Sequence, residues 1–327
     1  MQGDFLDFDK DIEELERLIS DLKSPERRAQ ARAEGIDLDD KIAPLEAEIE
    51  RILRQRYRDL SPWEKTRIAR HRSRPYTLDY VRTIFDEFVE LSGDRRMAND
   101  EAIVGGPARL DGQPIMVIGQ QKGREIRERQ RRNFGMARGP GFRKALRLAK
   151  MAEKFGLPLV SFVDTAGASA DLLAEESGVS EAIATNLREL SALATPTVSI
   201  IIGEGGSGGA LGIAVADRVL MLENSVYSVI SPEGCASILW YDKEKAPEAA
   251  QALKLTADHA LRFGIVDEVL EEPLGGAHRD PAAMAQTVKA ALLRHLDELK
   301  AIALEDLVAR RYARLRGIGV FREDATE

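Results

Sequence analysis

Cysteine is nearly absent from this chain. One, Cys235, stands among 327 residues, which excludes a disulfide framework and any cysteine-based zinc ribbon within the chain. Histidine is scarce too. His71, His259, His278 and His295 are scattered, with no i,i+4 pair, so no metal site is expected in this chain. No apolar run approaches the roughly 20 residues that span a bilayer, so no membrane segment is expected. The N-terminal MQGDFLDFDK is acidic and does not read as a signal peptide, which predicts a cytoplasmic location. Surplus positive charge is also missing. The net charge of −8 argues against a general nucleic-acid binder. What is present is 44% hydrophobic, enough for a sizeable core, over a length that suits one large domain or two ordinary ones.

Residues 1 to about 60 read as charged helices. Ile12, Leu15, Ile19 and Leu22 are spaced 3-4-3, and so are Ile42, Leu45, Ile49 and Ile52. Each set is one narrow apolar seam, as in a helical hairpin or short coiled coil. The seam's partner is either the chain itself or another subunit. From about residue 100 the pattern becomes strands alternating with helices. Strands are predicted at 115–118, 158–163, 197–202, 218–222, 226–230 and 265–270. Helices are predicted at 141–155, 180–193, 210–216 and 259–263, at Ser231-Pro232 onward, and again over 281–315. This is an α/β domain of repeated strand-turn-helix units.

The richest segment is Ile200 to Val215, IIIGEGGSGGALGIAV. A β-branched run feeds into five glycines within seven residues and then an apolar, alanine-rich helix. The first turn of such a helix has unpaired N–H groups and the positive end of the dipole, and so suits an anion or a developing oxyanion. Three chemistries fit. Gly203, Gly205 and Gly208, with Glu223 twenty residues past Gly203, match a dinucleotide fingerprint. Gly205, Ser207 and Gly209 match a nucleophile elbow. Alternatively, backbone N–H groups around Gly208 to Ala210 form an oxyanion hole with no side-chain nucleophile. A tight packing turn is the non-functional alternative. A second strand end carries DTAGA at 164–168, and if the two strands are neighbours both turns face one pocket. From Lys122 to Lys150 there are eleven Lys or Arg against two Glu. That asymmetry fits a polyanion handle or an acidic partner, and equally a solvated charged face.

RPYTLDYV (74–81), AIVGGPARLDG (102–112), QKGREIRERQRRNFGM (121–136), FRKALRLAKMAEKFGLP (142–158), GEGGSGGALGI (203–213), YSVISPEGCASILW (227–240) and EPLGGAHRDP (272–281) together resemble the α-subunit family of bacterial acetyl-CoA carboxylase carboxyltransferases. The resemblance covers nearly the whole chain. It implies a crotonase-like (ClpP/crotonase) spiral of ββα units with an N-terminal helical extension. The expected division is 1–70 extension, 71–300 carboxyltransferase domain and 301–327 helical tail. It implies transfer of a carboxyl group from carboxybiotin, held on a biotin carboxyl carrier protein that biotin carboxylase charges, to acetyl-CoA, giving malonyl-CoA. It implies a β subunit that brings the zinc ribbon and most of the acetyl-CoA site, in an α2β2 assembly. Within this chain it points to Gly208 and Gly209 as the oxyanion hole for the biotin ureido oxygen. Gly205, Gly206, Ala210, Gly167 and Ala168 are expected to shape the biotin site, and Lys122, Arg131 and Arg132 to contact CoA or the carrier. One stretch departs from the family's usual DTPGAYPG. This chain reads DTAGASAD at 164–171, losing two prolines, an aromatic and a glycine, which predicts a relaxed turn and weaker biotin placement. An alternative reading follows from it: a catalytically weakened paralogue that serves as a structural partner.

Overall fold

The computed structural model describes residues 6–320. The outermost residues of the expected extension and tail, 1–5 and 321–327, lie outside the described residues. The Lys10–Leu22 and Asp39–Arg56 helices pack on each other, with Pro25–Glu34 between them in sequence. Ile12, Ile19 and Ile42 are buried in their seam, so the hairpin closes on itself. The second seam drifts by one residue at its end, where Leu53 is buried and Ile52 only half-buried. Leu53 lies against Gly275, so packing on the rest of the chain sets the buried position at this end of the helix.

Seven strands form one sheet: β1 Ile103–Leu110, β2 Gln113–Gln120, β3 Leu159–Thr165, β4 Thr197–Gly206, β5 Arg218–Leu222, β6 Val226–Ser228 and β7 Glu268–Leu270. The order is β1-β2-β3-β4-β5-β7, and β6 pairs with β4 alone. β1 and β2 form an antiparallel hairpin across Asp111-Gly112, both at positive φ, as a two-residue type I′ turn requires. The other pairings are parallel. β4 is long enough to serve two neighbours. Val198–Ile201 pair with β5, and Glu204–Gly206 pair with β6. The sheet therefore branches at the end of β4, where β6 takes the place alongside it that β5 holds further back.

Both faces of the sheet are covered, so its central strands read as continuous apolar runs. On one face Met116, Ile118, Val163 and Ile201 meet the Gly139–Phe155, Val179–Ser191 and Ser207–Ala214 helices. On the other, Val117, Phe162, Ile200 and Ile202 meet the Thr77–Ile84 and Pro281–Lys300 helices. Several elements differ from the sequence pattern. β1 and the short Pro62–Ala69 and Thr77–Ile84 helices lie outside the predicted elements, although Thr77, Tyr80, Val81 and Ile84 are buried at helical spacing. β7 is shorter than 265–270 because Ile265 and Val266 still donate to the Ala260 carbonyl after the Gly264 stop.

The Leu304–Arg316 helix is fastened by Arg311, which is fully buried. Its guanidinium pairs with Asp217 at 2.8 Å and donates to the carbonyls of Leu190, Leu193 and Thr195. Every donor is matched, which is what makes a buried cation tolerable. Arg311→Ala is expected to destabilise the chain by about 3–5 kcal/mol, because Asp217 is left buried without its partner. Urea unfolding measures this directly, and a loss below about 1 kcal/mol would contradict it.

Candidate active site

β3 and β4 are parallel neighbours, so the turns that follow them leave the sheet on the same edge. The register shifts after Val163 and brings Thr165 opposite Gly205. The two glycine turns then touch. A Cβ on Gly206 would lie 2.1 Å from the Ala166 carbonyl oxygen, and one on Gly209 would lie 2.3 Å from the Gly167 carbonyl carbon and 2.5 Å from the Ala168 nitrogen. Only glycine permits that approach. Gly208 differs. A Cβ there would make only an ordinary contact with Ile183, at 3.5 Å, so its missing side chain keeps the cleft open.

The Ser207–Ala214 helix starts inside this contact, with Gly206 as an N-cap that offers no side-chain acceptor. Its first-turn N–H groups therefore have no capping partner and keep the positive end of the dipole free. Ser207 opens the helix at φ +50, a left-handed conformation that costs on the order of 1 kcal/mol for a residue with a side chain. Ser207 and Gly208 line two adjoining spaces. One is an open cleft of about 580 Å³, bounded by Ala166 to Asp171, Val229 to Ser231 and the start of the Val179–Ser191 helix. The other is an apolar pocket of about 290 Å³ walled by Leu211, Tyr227 and Ile265.

A buried ionic network holds the turns from below. Lys122 Nζ lies 2.7 Å from Asp164 Oδ1 and 2.9 Å from Glu204 Oε1. Arg70 pairs with the other oxygen of Glu204 at 2.7 Å and with Glu233 at 2.5 Å. Asp164 also accepts the Glu204 N–H at 3.0 Å. Gln120, fully buried, accepts the Asp164 N–H at 3.0 Å and donates to the Gly209 carbonyl at 2.9 Å. Arg74 donates to the Ile202 carbonyl at 2.7 Å. Burial opposes the charge on Glu204, but Lys122 and Arg70 outweigh it and hold its carboxyl down at about 2. Burial likewise opposes the Lys122 charge, and Asp164 and Glu204 together raise its pKa. For Asp164 burial dominates and the pKa is raised, with Lys122 opposing.

The geometry separates the three chemistries. The Ser207 hydroxyl has no hydrogen-bond partner among the described residues, and His259 bonds to Thr256 at 2.7 Å, so the elbow lacks its base. Glu223 accepts the Glu272 N–H and lines a different cleft, beside Arg54 and Tyr57, so the fingerprint lacks its ribose carboxylate. Backbone donors remain. Gly205, Gly206, Gly208, Gly209, Ala210, Gly167 and Ala168 come together at the two turns. Lys122, Arg131 and Arg132 do not gather on an open face. Lys122 is taken into the network. Arg132 is buried against Glu128 and the Glu101 carbonyl. Arg131 stays exposed, paired with Glu101 at 2.9 Å. The relaxed turn expected at 164–171 is not what forms. Thr165 Oγ1 accepts the Gly167 N–H, and Ser169 accepts from Asn133 and donates its N–H to the Ala137 carbonyl. Asp171 caps the Leu172–Glu176 helix and pairs with Arg138. The polar contacts of Thr165, Ser169 and Asp171 flank Ala166 and Ala170, which stand where the family has prolines. Arg70, Gln120 and Glu233 were missed from sequence; charged Asp164 and Glu204 at the ends of apolar strands were the available signal.

Parallel strands that end in apposed glycine turns, with an uncapped helix start between them, mark the class: a crotonase-like carboxyltransferase fold. Its relatives agree. A transcarboxylase 12S chain, solved as a hexamer assembly with methylmalonyl-coenzyme A and methylmalonic acid bound, superposes with a TM-score of 0.55 at 20% identity, over 68% of this chain and 42% of that one. This chain thus spans less than half of that chain's length. The profile of the family described as acetyl co-enzyme A carboxylase carboxyltransferase-like matches residues 5–319. The acetyl-coenzyme A carboxylase carboxyl transferase subunit alpha of Vibrio parahaemolyticus is 54% identical, over 98% of this chain and 99% of that protein. The subunit alpha of Geobacter metallireducens is 52% identical, over 97% and 98%. The chain belongs to the acetyl-CoA carboxylase carboxyltransferase α family.

Glu204 sets an acid dependence. Its folded pKa lies below the ordinary 4.5, near 2. Its stabilisation is therefore complete above 4.5 and is lost as pH falls toward 2. Glu204→Gln is expected to lower stability at about pH 7 and to cost little at about pH 2. Urea midpoints at the two pH values check this; an equal loss at both would refute it.

Proposed function

We infer that the chain works as the α subunit of a carboxyltransferase that moves the carboxyl group of carboxybiotin to acetyl-CoA. The product is malonyl-CoA, in the first committed step of fatty acid synthesis. The observation that carries this reading is the contact of the two glycine turns around an uncapped helix start. A ureido oxygen fits such a cradle: it needs N–H donors, no side chain in front of them, and no permanent counter-charge. Carboxybiotin, brought by the carrier protein, supplies the carboxyl group and, once this has left, the nitrogen that takes the methyl proton of acetyl-CoA.

The chain's own residues do the rest. Gly208 and Gly209 donate backbone N–H groups to the oxygen where charge develops, and being already oriented they need no reorganisation. Gly205, Gly206 and Ala210 fix the direction of those donors, and Gly167 and Ala168 form the facing wall. Asp164 and Glu204 are held in ion pairs beneath the turn and do not act as bases. Ser207 is a small turn residue. A partner β subunit with the zinc ribbon supplies most of the acetyl-CoA site, in an α2β2 assembly served by the carrier protein and biotin carboxylase. Leu172, Leu173, Val229, Ile238 and Leu239 are exposed on segments that border the cleft, and apolar surface of that kind supports a partner there. The division into 1–70, 71–300 and 301–327 is kept as part of this reading, with the first segment as an accessory to assembly. The weakened-paralogue alternative is not favoured, since the 164–171 turn is well bonded.

The chain alone is expected to be inactive and to gain carboxyltransferase activity with a zinc-ribbon β subunit. In that complex Ser207→Ala should retain most activity. Gly209→Val should abolish it, because its side chain would collide with the Gly167 and Ala168 backbone and turn the N–H groups away from the ureido oxygen; misplacing one oxyanion donor alone costs roughly a hundred- to a thousandfold in rate. Malonyl-CoA formation by the two variants, each checked for assembly, decides the matter. A folded and assembled Ser207→Ala without activity would overturn the mechanism.

A further inference from the structure

Part of the basic segment is left over by the site. Lys122, Arg124, Arg132 and Arg138 have internal carboxylate partners. The C-terminal part, Arg143 to Lys150, instead lies along a pocket of about 320 Å³ between the Gly139–Phe155 and Val179–Ser191 helices and the 94–96 loop. Five cations line it against two carboxylates, Asp94 and Glu181. Asp94 is already engaged. One oxygen accepts the N–H groups of Arg96, Met97 and Ala98, and the other pairs with Arg143 at 2.9 Å. Lys150 is shared between Glu153 and Glu189. Glu181 sits exposed at the rim, bonded to Thr185.

Three cations have no carboxylate. Arg147 donates only to the carbonyls of Leu91, Ser92 and Gly93. Its pKa is lowered, first by burial and then by the neighbouring Arg95. Arg95 and Arg96 are exposed, and among the described residues neither guanidinium has an ion-pair partner. Three unneutralised guanidinium groups converge on one concavity in a protein of net charge −8. Like charges gathered in this way repel each other unless an anion joins them.

We propose that this pocket binds a pyrophosphate group, through Arg95, Arg96 and Arg147. Planar guanidinium forks match the paired oxygens of phosphate, and three of them balance the charge of a diphosphate. The pocket is separate from the glycine cleft. Asp94 to Lys150 contribute nothing to that cleft, and the Val179–Ser191 helix stands between the two, with Ser180 and Ile183 on the cleft and Glu181 and Thr185 on the pocket. The pyrophosphate chemistry has two sources, a free nucleotide and the phosphate end of a coenzyme A thioester.

Calorimetric titration of the full chain with inorganic pyrophosphate tests the proposal. One saturable site per chain is expected, weakening as salt is raised. Arg95→Glu with Arg96→Glu, at two exposed positions, should weaken binding at least about tenfold while thermal unfolding stays unchanged. Arg147→Gln gives a second readout from the pocket floor. Displacement of pyrophosphate by ADP but not by coenzyme A assigns the site to a nucleotide; displacement by coenzyme A assigns it to the thioester. Absence of saturable binding, binding unchanged in both variants, or displacement by neither compound would overturn it.

Discussion

The structure depends on one buried cation shared by two carboxylates. Lys122 follows β2, Asp164 ends β3 and Glu204 lies near the end of β4, so their ion pairs fasten three adjacent strands at the same edge. Sequence separations of 42 and 82 residues are closed within 3 Å. Coulomb attraction is strong at that distance away from water, and removing any one member leaves an uncompensated charge. Everything above this edge inherits its position. The Glu204 N–H is held by Asp164, and the Gly209 carbonyl by Gln120. The contact of Gly206 and Gly209 with the facing turn then leaves no room for adjustment. Ser207 at positive φ is the local strain that this rigid surround sustains.

Under the proposed mechanism, such a framework gives the charged residues beneath the site a role in holding the turns rather than in the chemistry. A backbone oxyanion hole works only if its N–H groups are fixed before charge develops. A turn with so many glycines is intrinsically loose, because glycine loses more conformational freedom on ordering than any other residue. The rigidity is therefore imported from the side chains around it. The departure at 164–171 fits the same account: Ser169 and Asp171 restrain by hydrogen bonds a turn that proline would have restrained covalently.

Much of this was legible in the chain. The β-branched run before Gly203, the glycines and the alanine-rich run after them mark a strand, turn and helix by local pattern alone. So do the two apolar seams of the N-terminal hairpin. β1 was not legible because Gly105, Gly106 and Pro107 depress its strand propensity. Two of those residues are demanded by tertiary contacts, since a Cβ on Gly105 would lie 2.7 Å from the Val117 carbonyl oxygen and one on Gly106 would lie 1.9 Å from that of Val89. The direction of the cations was equally hidden. A run of Lys and Arg states a charge but not its partner. The partners of Lys122 and Arg131 sit at Asp164, Glu204 and Glu101, and only the fold brings them together.

The central claim is that a backbone N–H at the start of the Ser207–Ala214 helix stabilises the charge on the ureido oxygen. Replacing the peptide bond between Gly208 and Gly209 with an ester removes that N–H and adds no side chain. In the assembled complex with the β subunit, the account expects kcat to fall by roughly a hundred- to a thousandfold with the KM for acetyl-CoA little changed. An ester variant that is folded and assembled and retains the full kcat would contradict it.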